Sequence, residues 1–291
     1  MSAAGEVAPA VRELSGTGDG PAIVDVTLDV GRVEVDLGAP VGDATGPVHV
    51  RVEAVAGGPG LLGGLAEVLG RLGDGLTGSR AEDRVAAALA ATTMVWDAEA
   101  RRVEVRGPRE LALRSVALLV TVRAPESSGV RVRAGAAEVT VRGRADDVTV
   151  HATGAVGLDR VDGRLRVAGG AGHVDVARVL GPTEITTGAG RVRLGEVAAD
   201  TAVRAAAGDL EVADAAAGEL DLTTGAGSVR VGIRHGVDAR VDLHAAAGRA
   251  TSDLPVSPQR DPAAPGTEER PVVRVRGRTA AGHITVGRAE A

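Results

Sequence analysis

The sequence predicts an all-β fold: a β-solenoid of parallel stacked coils of about 18 residues each, preceded by an N-terminal β-hairpin region with a short helical insertion. Three observations carry this. An Ala-Gly pair recurs at Gly172, Gly190, Gly208, Gly227, Gly248 and Gly282, with spacings of 18, 18, 19, 21 and 34 residues. Apolar and polar residues alternate on both sides of each glycine. One outward position changes charge sign from copy to copy, through Asp175, Arg193, Glu211 and Arg230. Units this small cannot bury a face alone, so they must stack on their neighbours.

Taken in order, residues 1–19 read as a flexible terminus and residues 20–129 as N-terminal strands. Ile23 to Leu37 alternates through Val24, Val26, Leu28, Val30, Val33 and Val35, and His49 to Val55 continues the pattern. Together they predict a hairpin followed by another strand. A helical insertion is expected over about 59–91. Leu61, Leu62, Leu65, Val68, Leu69 and Leu72 fall at helical spacing, and Ala81 to Ala91 forms a second helix candidate. Interior glycines such as Gly63, Gly64 and Gly70 weaken the first helix by roughly 1 kcal/mol each. Its polar face offers Glu67, Arg71 and Asp74 rather than a basic stripe, so a cover over one end or edge of the sheet fits better than a membrane-surface element. Thr92 to Asp97 and Arg102 to Arg106 form a second hairpin turning at Ala98 to Ala100. Val116 to Val122 then leads through Pro125 to Gly129 into the repeats at 130–288.

Two weaker copies open the repeats, at Val130/Val132 and Val148/Val150. Leu165/Val167 follows after 17 residues, so a tight corner or bulge is expected near Gly154. In a typical copy Thr183, Ile185, Thr187 and Ala189, then Val192, Leu194 and Val197, should point inward, with Glu184, Thr186, Arg191 and Arg193 outward. The glycine between the two strands tolerates positive φ and lets coils approach without a Cβ. The long last spacing holds Pro255 to Pro271, expected to be an exposed loop between consecutive coils. Opposite charges on neighbouring strands contribute roughly 0.2 to 1 kcal/mol each, so the alternating column supports direct stacking of successive copies. A second outward column, Arg166, Glu184, Ala202, Asp221 and Asp242, is less regular. An antiparallel sandwich would also accept short strands and glycine corners, but near-identical spacing in five copies fits the solenoid better.

Composition narrows the function. Hydrophobic residues make up 44% of 291, yet there is no Phe or Tyr and one Trp, Trp96, so the core must be Val, Leu, Ile, Ala and Thr. That suits a narrow coil interior, in which seven or eight coils at about 4.8 Å make a rod of roughly 35 Å. All 33 basic residues are arginine and Asn is absent, a bias that fits a GC-rich genome. Without cysteine there are no disulfides, thiolate metal sites or cysteine nucleophiles. A net charge of −6 with dispersed arginines offers no basic patch for nucleic acid. Met1 to Leu14 has no apolar segment, so neither a signal peptide nor an integral membrane segment is visible, and a cytoplasmic location is expected.

No residue stands out as catalytic, cofactor-binding or metal-binding. His49, His151, His173, His235, His244 and His283 show no ligand spacing with supporting carboxylates, and His173 and His283 share one outward repeat position. Gly169-Gly170-Ala171-Gly172-His173-Val174-Asp175-Val176 is superficially like a calcium-binding β-roll loop, but Val174 stands where the ion needs aspartate. Val192, Leu210 and Val229 fill the same place in other copies. Gly16, Gly18 and Gly20 precede a strand rather than a helix, so they form no phosphate cradle. No cofactor is implied.

The segments Thr187-Gly188-Ala189-Gly190-Arg191-Val192-Arg193-Leu194-Gly195-Glu196-Val197 and Thr224-Gly225-Ala226-Gly227-Ser228-Val229-Arg230-Val231-Gly232-Ile233 carry a resemblance. Over about residues 20–55 and 92–288 the chain resembles the bacterial β-strand-repeat family of unknown function, labelled candidate adhesin, of the actinobacterial type. The Leu61 to Gly78 segment departs from that pattern. The resemblance implies a β-solenoid without an established activity or established catalytic residues. The expected function is a non-catalytic structural or binding module, presenting strand ladders or coil ends to an unknown protein partner or to itself. The alternative is a carbohydrate-active enzyme or carbohydrate-binding solenoid, which converging carboxylates in a surface groove would favour.

Overall fold

The computed structural model describes residues 11–38, 48–54, 78–254 and 272–290. The Leu61 to Leu72 helix candidate and the Pro255 to Pro271 loop lie outside them. Two compact units are present: residues 1–145 with 150–154, and residues 146–149 with 155–291.

The first unit is a mixed sheet. Strand β1 (Val11–Gly16) lies within the segment read from the sequence as a flexible terminus, and it pairs antiparallel with β3 (Val48–Ala54). Strand β2 (Ile23–Leu37) is one continuous strand, not the expected hairpin. All its partners are parallel: β5 (Arg102–Arg106) beside its first half, β6 (Leu118–Ala124) beside its second, and β7 (Ser128–Ala152) along most of its length. The physical reason lies at Gly31. A single glycine at φ 139° bends the strand instead of reversing it, and a Cβ there would lie 1.9 Å from the Leu118 carbonyl oxygen. The second hairpin forms as expected, β4 (Thr93–Asp97) antiparallel to β5. Asp97 Oδ1 accepts the Glu99 and Ala100 amides at 3.0 Å, which sets its turn. Helix α1 (Gly78–Ala91) buries Ala88 and Leu89. Its C-terminal carbonyls are capped from β1, where Arg12 donates to Leu89 O at 2.9 Å. Near Gly154 the chain bends, and a Cβ at that glycine would lie 2.1 Å from Ala137 O.

The second unit is the solenoid. Strand β8 (Val156–Val161) opens it, and six two-strand coils follow. In chain order they are β9 (Leu165–Gly169) with β10 (Val174–Val179), β11 (Thr183–Ala189) with β12 (Val192–Val197), and β13 (Thr201–Ala207) with β14 (Leu210–Ala215). Then come β15 (Glu219–Ala226) with β16 (Val229–Ile233), β17 (Asp238–Ala247) with β18 (Ala250–Ser252), and β19 (Val272–Ala281) with β20 (Ile284–Arg288). Every pairing among them is parallel, and first strands pair with first strands and second with second.

Period-two alternation makes each inward position a continuous column. Val174, Val192, Leu210, Val229 and Ile284 stack in register, as do Val167, Ile185, Val203 and Leu222. All are essentially inaccessible to solvent. Each such side chain contributes roughly 1.5 to 3 kcal/mol relative to exposure, before the entropy of ordering is subtracted. Buried Thr187, Thr224 and Thr279 hold the last inward position of their strands, and hydroxyls there reach the neighbouring coil's corner: Thr224 donates to Gly208 O and Thr279 to Gly227 O, each at 3.0 Å. The buried hydroxyls are therefore satisfied. Ala189 is exposed, contrary to the inward position expected of it, because the strand leaves its alternation one residue before the Gly190 corner.

Successive copies stack directly up to β15 and β16, and then the order changes. The last coil of the chain, β19 with β20, lies between β15/β16 and β17/β18. The expectation that consecutive copies always neighbour one another is corrected there. Corner glycines record the order, since a Cβ on Gly282 would lie 2.0 Å from Gly227 O and one on Gly248 1.8 Å from Gly282 O. Electrostatics supplies a reason: Arg276 sits between Asp221 and Asp242, which would be like-charged neighbours in a strictly sequential stack.

Gly208→Ala, at φ 136° with Gly190 O 2.0 Å from the new Cβ, should lose about 2 kcal/mol or more in urea unfolding, whereas Gly157→Ala, with open space around it, should stay within about 0.5 kcal/mol. Deleting residues 272–291 should make Asp238 to Ser252 cleavable in limited proteolysis, because β17 and β18 pair with nothing else among the described residues. Protection of that segment in the deletion variant would contradict the coil order.

Candidate functional site

The solenoid presents its outward positions as columns. The predicted charge column forms as expected, with Asp175 opposite Arg193, Arg193 opposite Glu211, and Glu211 opposite Arg230. A second cluster lies outside the pattern read from the sequence. Arg178 Nε lies 2.6 Å from Glu196 Oε2, and Arg234 reaches Glu196 Oε1 at 2.9 Å while its Nε donates to Asp214 Oδ2 at 2.9 Å. Arg178, Glu196 and Asp214 are in-register neighbours, so their spacing of 18 residues was a usable signal. Arg234 follows β16 outside any strand, at the repeat position that Leu180, Ala198, Ala216 and Ala289 hold in other copies, so the pattern gave no sign of a cation there.

These ion pairs tune the carboxylates. The hydrogen bond from Arg234, with Arg178 adding to it, holds the Glu196 carboxyl below its ordinary value of 4.5. In the first unit, Arg114 forks onto Asp29 at 2.7 and 2.8 Å and holds that carboxyl below 3.8. Arg234 itself is pushed above its ordinary value, chiefly by Asp214.

The position after each corner glycine adds a side-chain ladder. His173 Nδ1 accepts the Arg191 amide at 3.1 Å, Asp209 Oδ1 the Ser228 amide at 2.8 Å, and His283 Nδ1 the Arg249 amide at 3.2 Å. The shared position of His173 and His283 therefore tethers one coil to the next. Val174, Val192, Leu210 and Val229, at the place a calcium loop would need aspartate, are core residues. Among the described residues no three His, Asp or Glu side chains are grouped to hold a metal ion.

Two surface features bear on binding. The first is an open groove of about 390 Å3 at the start of the first strands, with Arg164, Arg166, Glu184, Asp200, Glu219 and Asp221 in its lining. Its acids already have partners: Asp200 Oδ1 accepts the Glu219 amide at 2.9 Å, Glu219 receives Arg276, and Glu184 lies 3.9 Å from Arg166. The second is a ridge of exposed alanines, Ala189, Ala207, Ala226, Ala281 and Ala247, in register beside the corners. Asp25, 3% exposed and paired with Arg102, is the one buried charged residue among those described, and it lies in the first unit.

No family model matches the chain, and no curated protein matches it. Among solved structures it is similar to a candidate cell adhesion protein from Clostridium sporogenes, at 9% identity over 96% of this chain and 98% of that one, with a TM-score of 0.29. It is also similar to a candidate adhesin from Bacteroides fragilis, at 10% identity over 95% of each chain and a TM-score of 0.45. A candidate adhesin from Parabacteroides distasonis shares 9% identity over 94% of this chain and 95% of that one, with a TM-score of 0.30. Likenesses this distant carry no argument about binding or catalysis. Among the described residues no helix is long and apolar enough to cross a membrane.

The ion pairs yield a pH dependence with a definite sign. A carboxyl whose folded pKa is depressed contributes stability that is complete above its unfolded value and is lost as pH falls through the folded one. Arg234→Ala should therefore lower the thermal midpoint near neutrality and lose less of it than the parent as pH falls through 4.5 and below. Equal acid sensitivity of the two proteins would remove Glu196 as a contributor.

Proposed function

We propose that the protein is a non-catalytic binding scaffold of the bacterial β-strand-repeat kind, the actinobacterial type included, which presents its in-register ladders to a protein partner or to itself. The observation that carries this is the solenoid surface itself, a ridge of exposed alanines beside the second-strand column Asp175, Arg193, Glu211 and Arg230, whose charges alternate. Such a face suits a flat partner approached over a broad area, with small residues allowing close contact. General acid–base work favours carboxyls displaced by burial or by like charges. In the groove each of Glu184, Asp200 and Glu219 instead meets an arginine or a backbone amide.

The rival reading, a carbohydrate-active or carbohydrate-binding solenoid, draws its support from that same groove, because acids and arginines spaced along parallel strands can bond sugar hydroxyls. The two readings separate experimentally. A partner captured by crosslinking in the native host should be lost from the double variant Ala207→Arg/Ala226→Arg at an unchanged thermal midpoint, since both alanines are exposed. Turnover or binding of a polysaccharide that Glu184→Gln/Asp200→Asn abolishes would replace the scaffold with the rival.

A further inference from the structure

The coil order leaves Asp238 to Ser252 at the end of the stack. Strand β17 pairs only with β19 and β18 only with β20 among the described residues, so each offers one unpaired backbone edge. Edge strands of this kind are usually blunted by proline, by a bulge or by charged side chains, lysine above all, and here the charges are of both signs. Asp238 to Ala247 contains neither proline nor lysine and pairs with β19 without a break. Val241, in register with fully buried Val275, is itself 38% exposed.

The sequence of this edge is complementary to itself. Its outward residues are Asp238, Arg240, Asp242 and His244, and its inward ones Ala239, Val241 and Leu243. In an antiparallel pair centred on Val241, Arg240 faces Asp242 of the second copy and Asp238 faces its His244, each twice by symmetry. On the inner row Ala239 meets Leu243, and Val241 meets Val241. No neighbouring register does this. A shift of the centre to Arg240 sets Arg240 against Arg240 and Asp238 against Asp242, and a shift to Asp242 sets Asp242 against Asp242. A shift by half as much brings outward residues opposite inward ones and breaks the alternation.

We propose that the open edge of β17 is a self-recognition surface, and that two copies of this chain join there as an antiparallel two-fold dimer centred on Val241. The inference deepens the scaffold reading and rests on it, naming a second copy as partner for the coil end. Two-fold symmetry requires a self-complementary patch, and this strand supplies one. Antiparallel joining also keeps each inward row facing inward, so the two solenoid interiors continue into one another.

The test uses the full chain. Light scattering up to about 0.1 mM should show a concentration-dependent dimer. Arg240→Asp should raise its dissociation constant by about tenfold or more, because two Asp–Asp contacts replace two Arg–Asp pairs. That variant keeps its own fold, since Arg240 neighbours Arg274 within the chain and the substitution relieves a like-charge contact. Arg240→Asp/Asp242→Arg restores both cross-pairs and should recover the dimer, since within the chain it only exchanges the like-charge contact at Arg274 for one at Arg276. The chain contains no cysteine, so Val241→Cys provides a register-specific probe. Paired residues there approach to about 4.5 to 5.5 Å between Cα atoms, within disulfide reach, and mild oxidation should give a covalent dimer. A monomer at every concentration overturns the self-pairing and leaves partner binding standing. A dimer indifferent to Arg240→Asp, or one that Val241→Cys fails to crosslink, overturns it as well. Polysaccharide turnover would instead overturn the scaffold reading and leave the dimer untouched.

Discussion

The structure depends on how closely the backbones approach at the corners. At Gly190, Gly208, Gly227, Gly282 and Gly248 the carbonyl oxygen of the neighbouring corner lies 1.8 to 2.5 Å from where a Cβ would be, and φ runs from 120° to 148°. Both conditions reject every L side chain, the first by overlap and the second by conformation. The corners therefore set the register of the whole stack, because a coil displaced by one residue would bring an alanine Cβ into that contact. With a side-chain period of two, a fixed register decides at once which residues are buried and which form columns. The amides and carbonyls beside the corners join successive coils, as where Gly208 N donates to Ala226 O at 2.7 Å and Gly227 N to Ala281 O at 2.9 Å.

A core without Phe or Tyr is a consequence of the same geometry. Two short strands per coil enclose space for a few side chains of Val, Leu, Ile or Thr size, and the space repeats at the strand spacing of about 4.8 Å. Large aromatic rings would have to fit coil after coil. Small ones need only repeat. Where the size drops to nothing, at Gly277, the side chains of Leu243 and Ile284 close over the position, 3.1 and 3.2 Å from where a Cβ would be. Outside, the same repetition turns single charges into columns, which explains why ion pairs such as Arg178–Glu196 link residues 18 apart rather than sequence neighbours.

Much of this was legible in the chain. The corners, the inward Thr183, Ile185 and Thr187, and the Asp175–Arg193–Glu211–Arg230 column follow from periodicity, because period and register are the same information in a parallel stack. Periodicity is silent on order. All coils share one corner and one alternation, so local pattern fits Asp238–Ser252 and Val272–Arg288 equally well at either level. The distinction lay in pair terms of a few tenths of a kcal/mol, and the irregular second column held it: Asp221 beside Asp242 was an unfavourable neighbour that Arg276 resolves. Alternation alone does not separate a bend from a reversal, so β2 reads as a hairpin in the sequence, and the bend at Gly31 depends on Leu118, far away along the chain. Arg234's part in its cluster was invisible for a related reason, since its repeat equivalents Leu180, Ala198, Ala216 and Ala289 are all uncharged.

The displaced order has an energetic rationale. Skipping one level and returning means closing a loop of roughly 40 residues, from the end of β16 to the start of β19, where other coils are joined by a few. By loop-closure scaling a tenfold longer loop costs about 2 kcal/mol more. The inserted coil gains neighbours on both sides, and Val273, Val275, Ile284 and Val286 are buried to 1% exposure or less. A residue at the end of the stack stays only partly exposed, as Val241 does at 38%, so the inner place gains about a third of the roughly 1.5 to 3 kcal/mol of full burial, and the four together offset the loop. The coil left at the end is the alanine-rich one, Asp238 to Ser252, whose residues have the least to lose from exposure. Stacking the apolar coil inside and the alanine-rich coil outside is thus favoured over sequence order. It also implies that the two assemble in reverse, since among the described residues β17 and β18 pair only with β19 and β20.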